Sequence, residues 1–214
     1  MDEMGQARRK MVDRQIRARG IRDPRVLEAL GSIPREAFIP PPEKAFAYQD
    51  EALPIGCGQT ISQPYMVAAM TEALRPQPTD RVLEVGTGSG YQAAILSKSV
   101  GEVFTVERVP ELADRARDIL AELGIRNVQV RQGDGSLGWP EEAPFDAILV
   151  TAAAPDIPAP LKEQLSRKGG RLVIPVGSRL EQNLQRVVRW GDEETVDVLV
   201  PCRFVPLRGE EGWR

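Results

Sequence analysis

Glycines stand at every second position of Gly86-Thr87-Gly88-Ser89-Gly90, directly after the apolar run at 81–85 and directly before a stretch with helical spacing. A strand that ends in such a loop and opens a helix restricts the chain to a wound α/β fold, in which ligands sit at the carboxyl ends of the strands. A tight turn alone does not need three alternating glycines, so the loop reads as one that brings backbone close to a bound molecule. The downstream pattern agrees. Helical spacing at 90–100 and 110–123 alternates with strand-like runs at 103–106, 128–131 and 145–151, which predicts a doubly wound, mostly parallel sheet. Runs at 170–176, 184–189 and 196–205 are separated by too little chain for crossover helices, so antiparallel C-terminal strands are expected.

Upstream of the loop, residues 7–19 place Met11, Val12 and Ile16 on one helical face, with Gly20 where a left-handed terminator belongs. Asp23 as N-cap and Pro24 at the first helical position announce a second helix carrying Val26, Leu27 and Leu30. Ile39-Pro40-Pro41-Pro42 interrupts regular structure, and a helical stripe of Met66, Val67, Met70 and Leu74 follows Pro64. The first 60 or so residues therefore read as an N-terminal helical cap on a larger domain, not as a domain of their own.

At 214 residues with 42% hydrophobic and 28% charged content, the chain is long and apolar enough to fold without a metal or disulfide staple. Its longest apolar runs, such as 147–154, are too short to cross a bilayer, and the charged start around Arg8, Arg9 and Lys10 does not read as a secretory signal. A cytoplasmic protein with no membrane partner is expected. The 28 basic and 31 acidic residues are interspersed, which leaves no broad positive field for nucleic acid. Cys57 and Cys202 are expected to be unpaired, and no metal site is expected. Histidine is absent, which removes the commonest general base. Oligomeric state is not written in the sequence, and a monomer is the default expectation.

The glycine loop distinguishes among ligands. A strict dinucleotide fingerprint, G-x-G-x-x-G, fails because its sixth position is Tyr91 or Ala93, although the looser form ending in alanine is met from Gly88. Glu84-Val85-Gly86-Thr87-Gly88-Ser89-Gly90 instead resembles the first motif of the Rossmann-like methyltransferases that use S-adenosylmethionine. That ligand carries an ammonium and a sulfonium and no pyrophosphate, so an acid at Glu84 suits it. Glu84, Gly86, Thr87, Gly88, Ser89 and Gly90 are thus expected to bind the cofactor. Glu107, at the end of the next strand, is placed to accept the ribose hydroxyls, and Asp134 and Gly135 lie where an acid of this fold class takes a hydrogen bond from the adenine amino group.

Leu53-Pro54-Ile55-Gly56-Cys57-Gly58-Gln59-Thr60-Ile61-Ser62-Gln63-Pro64-Tyr65-Met66 closely resembles the substrate loop of protein-L-isoaspartate O-methyltransferases. Gly133-Asp134-Gly135, Ala143-Pro144-Phe145-Asp146-Ala147-Ile148, Thr151-Ala152-Ala153, Gly169-Gly170-Arg171-Leu172 and Arg203-Phe204-Val205-Pro206-Leu207 follow in the order of that family, so the resemblance covers nearly the whole chain. It departs at Cys57, which leaves the fine shape of the substrate pocket open. The resemblance implies a cap and substrate-loop extension over 1–60 and a Rossmann-like methyltransferase domain over 61–214. It implies an enzyme that moves the methyl group of S-adenosylmethionine to the α-carboxylate of isoaspartyl residues in damaged proteins and peptides, beginning their repair through a succinimide. Ser62 corresponds to the active-site serine, orienting rather than attacking, although a serine two residues before a helix-starting proline can equally be an N-cap. Thr60, Ile61, Ser62 and Val205 are where the substrate is expected. Arg203 stands where it could pair with a substrate or cofactor carboxylate, but a single strand-end arginine is more often a surface ion-pair partner, and it is left out of the catalytic set. The alternatives are a methyltransferase of the same fold acting on RNA or a small molecule, a non-catalytic nucleotide-binding module, and an NAD-dependent oxidoreductase.

Overall fold

A computed structural model describes residues 3–213. The chain begins with helix α1 (Glu3–Met11), which runs through a wider turn at Val12–Ile16 and a tighter one at Arg17–Arg19 into Gly20, whose φ of 101° ends it. Helix α2 (Pro24–Ser32) starts on Asp23, whose carboxylate accepts from Arg25 N at 2.9 Å. Past the prolines, short helical turns at Arg35–Phe38 and Pro41–Phe46 lead to an antiparallel hairpin of β1 (Leu53–Gly56) and β2 (Gln59–Ile61). Sequence periodicity does not announce these strands, because two runs this short carry too few residues for alternation to show.

Helix α3 (Pro64–Leu74) precedes the main sheet, whose strands are β3 (Arg81–Val85), β4 (Glu102–Glu107), β5 (Val128–Gln132), β6 (Ala147–Val150), β7 (Lys168–Gly177), β8 (Gln182–Trp190) and β9 (Glu193–Cys202). Its seven strands lie in the order β5-β4-β3-β6-β7-β8-β9, parallel from β5 through β7 and antiparallel from β7 to β9. Helices α4 (Tyr91–Ser97), α5 (Pro110–Glu122) and α6 (Ala159–Glu163) lie between strands. The chain leaves β3 toward β4 and β5, then returns to β6 on the other side of β3. A crevice opens at that reversal, which is where ligands of open α/β sheets bind.

Burial on both faces explains why the central strands are mostly apolar, with Glu84, Thr105 and Glu107 as their buried polar residues. On one face Val82, Val103 and Ala147 pack beneath Met70, Leu74 and Leu96 of α3 and α4. On the other, Leu83, Val85, Phe104 and Val150 meet Leu161, Leu165 and Leu207. A third cluster joins the N-terminal segment to the domain: Met11, Ile16, Leu30 and Phe38 pack with Tyr91, Ile95 and Leu112. Fully buried Arg35 reinforces the junction, donating through Nε to Ala47 O at 2.8 Å while its guanidinium lies 5.0 Å from the Tyr91 ring centre.

Candidate active site

The turn after β3 is shaped by contacts that exclude side chains. A Cβ on Gly86, whose φ is 95°, would stand 2.5 Å from Thr151 Oγ1 at the end of β6, and that hydroxyl donates to Gly86 O at 2.6 Å. Gly88 N donates to Glu107 Oε2 at 2.8 Å, and Val109 N donates to Glu107 Oε1 at 2.9 Å. Backbone thus holds a buried carboxylate still at the carboxyl end of β4, and each oxygen keeps a lone pair for a ligand.

These groups line a cleft at the carboxyl ends of the parallel strands, where ligands of open α/β sheets bind. Gly86, Thr87, Gly88, Ser89, Glu107 and Gly135 line it, as do Thr60, Ile61, Ser62 and Val205. Three residues expected to touch a cofactor do not line it. Gly90 lies beneath the loop, where a Cβ would come 3.2 Å from Ala116 Cβ of α5, so its glycine serves helix packing. Glu84 is fully buried on the face covered by α3 and α4. Its Oε2 accepts from the Thr105 hydroxyl, which also bonds Thr87 Oγ1 at 2.6 Å, while its Oε1 has no partner. Burial pushes this carboxyl up to about 8; the bond from Thr105 opposes the rise and the charge of Glu107 adds to it. At neutral pH Glu84 is mostly uncharged, and it braces the loop through Thr105 and Thr87 instead of offering a charge to a cation.

Asp134 is the third. Its Oδ1 accepts from Ser136 N and from Ser136 Oγ, at 2.9 and 2.7 Å, and its Oδ2 accepts from Glu210 N at 2.8 Å. Partial burial works against ionisation, but the Glu210 and Ser136 donors and the charge of Arg108 hold the carboxyl below its usual value. Asp134 fastens the C-terminal segment to the turn after β5, and it is that segment, through Pro206, Leu207 and Arg208, that reaches the cleft. Sequence spacing can place Asp134 at the strand end but cannot reveal that a residue 76 positions later takes one of its lone pairs.

The wall opposite the glycine loop is the end of the β1-β2 hairpin, which Arg115 of α5 holds by donating to Ile55 O at 2.6 Å. Ser62 does not cap α3: the cap position belongs to Gln63, which makes no side-chain capping bond. The Ser62 hydroxyl has no hydrogen-bond partner among the described residues. A second cavity of about 1000 Å³ lies beyond it, lined by Arg19, Tyr65, Cys202, Arg203 and Phe204, and it shares Thr60, Ser62, Thr151 and Val205 with the first. Thr151, Arg19 and Tyr65 are site residues that the sequence pattern does not single out. For Thr151 a signal exists, since it follows the last residue of a buried strand on the side where ligands bind. Arg19 and Tyr65 meet only through folding. Cys57, at the exposed hairpin tip with φ 52°, and Cys202 are both free thiols.

A model of the protein-L-isoaspartate(D-aspartate) O-methyltransferase family matches residues 6–212. The chain is 56% identical over 206 residues to a Methanoregula boonei protein-L-isoaspartate O-methyltransferase, covering 96% of this chain and 94% of that one. It is 55% identical to the Syntrophus aciditrophicus protein of the same name, covering 100% of this chain and 99% of that one. Among solved structures, a protein-L-isoaspartate O-methyltransferase superposes with a TM-score of 0.85 at 30% identity, over 95% of this chain and 67% of the other. A Plasmodium falciparum structure described as a putative protein-L-isoaspartate O-methyltransferase in complex with S-adenosyl-L-homocysteine gives 0.79 at 26% identity, over 94% and 98%.

Proposed function

The chain belongs to the protein-L-isoaspartate(D-aspartate) O-methyltransferase family, and from that premise we propose that methyl transfer takes place at the wall shared by its two cavities, with Ser62 orienting the acceptor. The enzyme uses S-adenosylmethionine and methylates isoaspartyl residues of proteins and peptides. The observation that carries the assignment of roles is the common boundary of Thr60, Ser62, Thr151 and Val205, through which a peptide in one cavity meets a cofactor in the other.

The residues of the first cleft fit the cofactor. Gly86, Gly88 and Gly135 line the cleft without side chains, and the buried Glu107 carboxylate, held by Gly88 N and Val109 N, faces it as an acceptor. Gly86, Thr87, Gly88, Ser89 and Gly135 would hold the molecule, and Glu107 would accept from its ribose hydroxyls. When bound, S-adenosylmethionine supplies an electrophilic methyl group. The protein needs no base to complement it, because a carboxylate with a pKa of about 4 is already ionised at neutral pH. Alignment is what remains to be supplied. The Ser62 hydroxyl, with no partner among the described residues, donates to one acceptor oxygen and leaves the other free to react. Thr60, Ile61 and Val205 line the cleft beside it without a charged side chain, a surface that suits extended peptides of many sequences.

The amide nitrogen of the following residue then attacks the ester carbonyl, methanol leaves, and hydrolysis of the resulting succinimide returns part of it to aspartate. A monomer in the cytoplasm, with neither nucleic acid nor membrane as partner, completes the proposal. The exposed free thiol of Cys57 suits a reducing compartment, and the charges are mixed. The described residues contain no helix long and apolar enough to cross a membrane. The test offers methyl-labelled cofactor and two peptides that differ only in isoaspartate or aspartate at one position. Base-labile label on the isoaspartyl peptide alone is expected; label on both, or on neither while S-adenosylhomocysteine still binds, would sink the reading.

A further inference from the structure

Arg203 lines the outer cavity and not the cleft of the glycine loop. It directly follows β9, is exposed, and makes no hydrogen bond, ion pair or ring contact with any described residue. Arginines that serve the fold have partners: Arg81, Arg171 and Arg186 each pair with a carboxylate. The other cation of the cavity, Arg19, has its guanidinium carbon 3.4 Å from the Tyr65 ring centre and is ion-paired with Asp50, so its charge is compensated. Among the described residues, no aspartate or glutamate lines the cavity. The outer cavity therefore carries one uncompensated positive charge, set back from the wall where the reacting residue sits. Ser62 and Arg203 line this same cavity, so a peptide held at Ser62 and continuing through it would bring its neighbouring side chains to Arg203.

We propose that Arg203 is a specificity-determining residue that favours isoaspartyl peptides with an acidic side chain next to the damaged residue; this rests on the isoaspartyl reading of the site. A solvent-facing charge pair of this kind alters affinity by about two- to five-fold and weakens as salt rises.

The test uses three isoaspartyl peptides that differ only in Glu, Gln or Lys beside the isoaspartate. The expected order of kcat/KM is Glu above Gln above Lys, spanning about ten-fold at low salt from attraction at one end and repulsion at the other, residing in KM and shrinking at high salt. Arg203→Lys should keep the order, Arg203→Gln should flatten it, and Arg203→Glu should reverse it, which loss of a structural role would not do. Equal kcat/KM on the three peptides, or an order that survives Arg203→Glu, would overturn the proposal. Absence of transfer to all three peptides, with S-adenosylhomocysteine still bound, would instead remove the isoaspartyl reading and this proposal with it.

Discussion

A serine hydroxyl left without a partner on a wall between two cavities is available to a ligand at little cost, and that availability makes Ser62 testable. Ser62→Ala is expected to lower kcat/KM by about 10- to 100-fold, the cost of a misplaced acceptor, while calorimetry shows S-adenosylhomocysteine affinity little changed. Loss of cofactor affinity equal to the loss of rate would instead make Ser62 a cofactor residue. Glu84 bears on pH. Its folded pKa of about 8 lies above the ordinary value of 4.5, so the native state holds the extra proton between those values. Stability from this group is therefore complete below about pH 4.5 and is lost as pH rises to about 8, by at most about 5 kcal/mol. Glu84→Gln, isosteric and always neutral, should flatten that part of the stability curve, as followed by urea unfolding at pH 5, 7 and 9. An unchanged slope would mean that Glu84 is ionised in the fold.

Elements announced by punctuation are legible in the sequence alone. Asp23-Pro24, Gly20 and the Gly86–Gly90 loop each fix backbone locally, and α2, the end of the first helix and the strand-loop-helix unit stand where those residues put them. The parts that are not legible depend on distant partners. A Cβ at Gly90 would meet Ala116 at 3.2 Å, and Asp134 accepts from Glu210 N near the C-terminus, contacts that no local pattern shows. That C-terminal segment is held at several points: Leu207 N to Ala153 O at 2.7 Å, Trp213 Nε1 to Ala153 O at 3.1 Å, and Glu211 N to Ser136 Oγ at 3.1 Å. Asp134→Ala removes its anchor at the turn. It should lower S-adenosylhomocysteine affinity about ten-fold, as expected of one lost hydrogen bond to a charged group, and quicken proteolysis after Arg208. Unaltered affinity and unaltered cleavage would show that the remaining bonds suffice.

At the scale of the whole molecule, the N-terminal segment shares a core with the rest of the chain. Phe38 packs edge-on against Tyr91 with ring centres 5.5 Å apart, and the cluster of Met11, Ile16 and Leu30 runs on into Ile95 and Leu112. Residues 61–214 alone would expose that surface of α4 and α5, so we expect this fragment to be aggregated or molten by near-ultraviolet circular dichroism; a cooperative thermal transition would make the cap dispensable. The sheet meanwhile brings the ends of β3, β4 and β6 to one crevice, which explains how a chain without histidine assembles a site from backbone and a few oxygens. One local arrangement also bears on how such a protein grows old. Asp134-Gly135 is the kind of dipeptide that rearranges most readily, since a glycine leaves the following amide unhindered. Here the Asp134 carboxylate is ionised and held by three donors, Ser136 N, Ser136 Oγ and Glu210 N, which restrict its rotation toward the following amide. A catalyst of isoaspartate repair thus carries the vulnerable pair in the turn after β5, fixed there by folding for as long as its C-terminal tail remains docked.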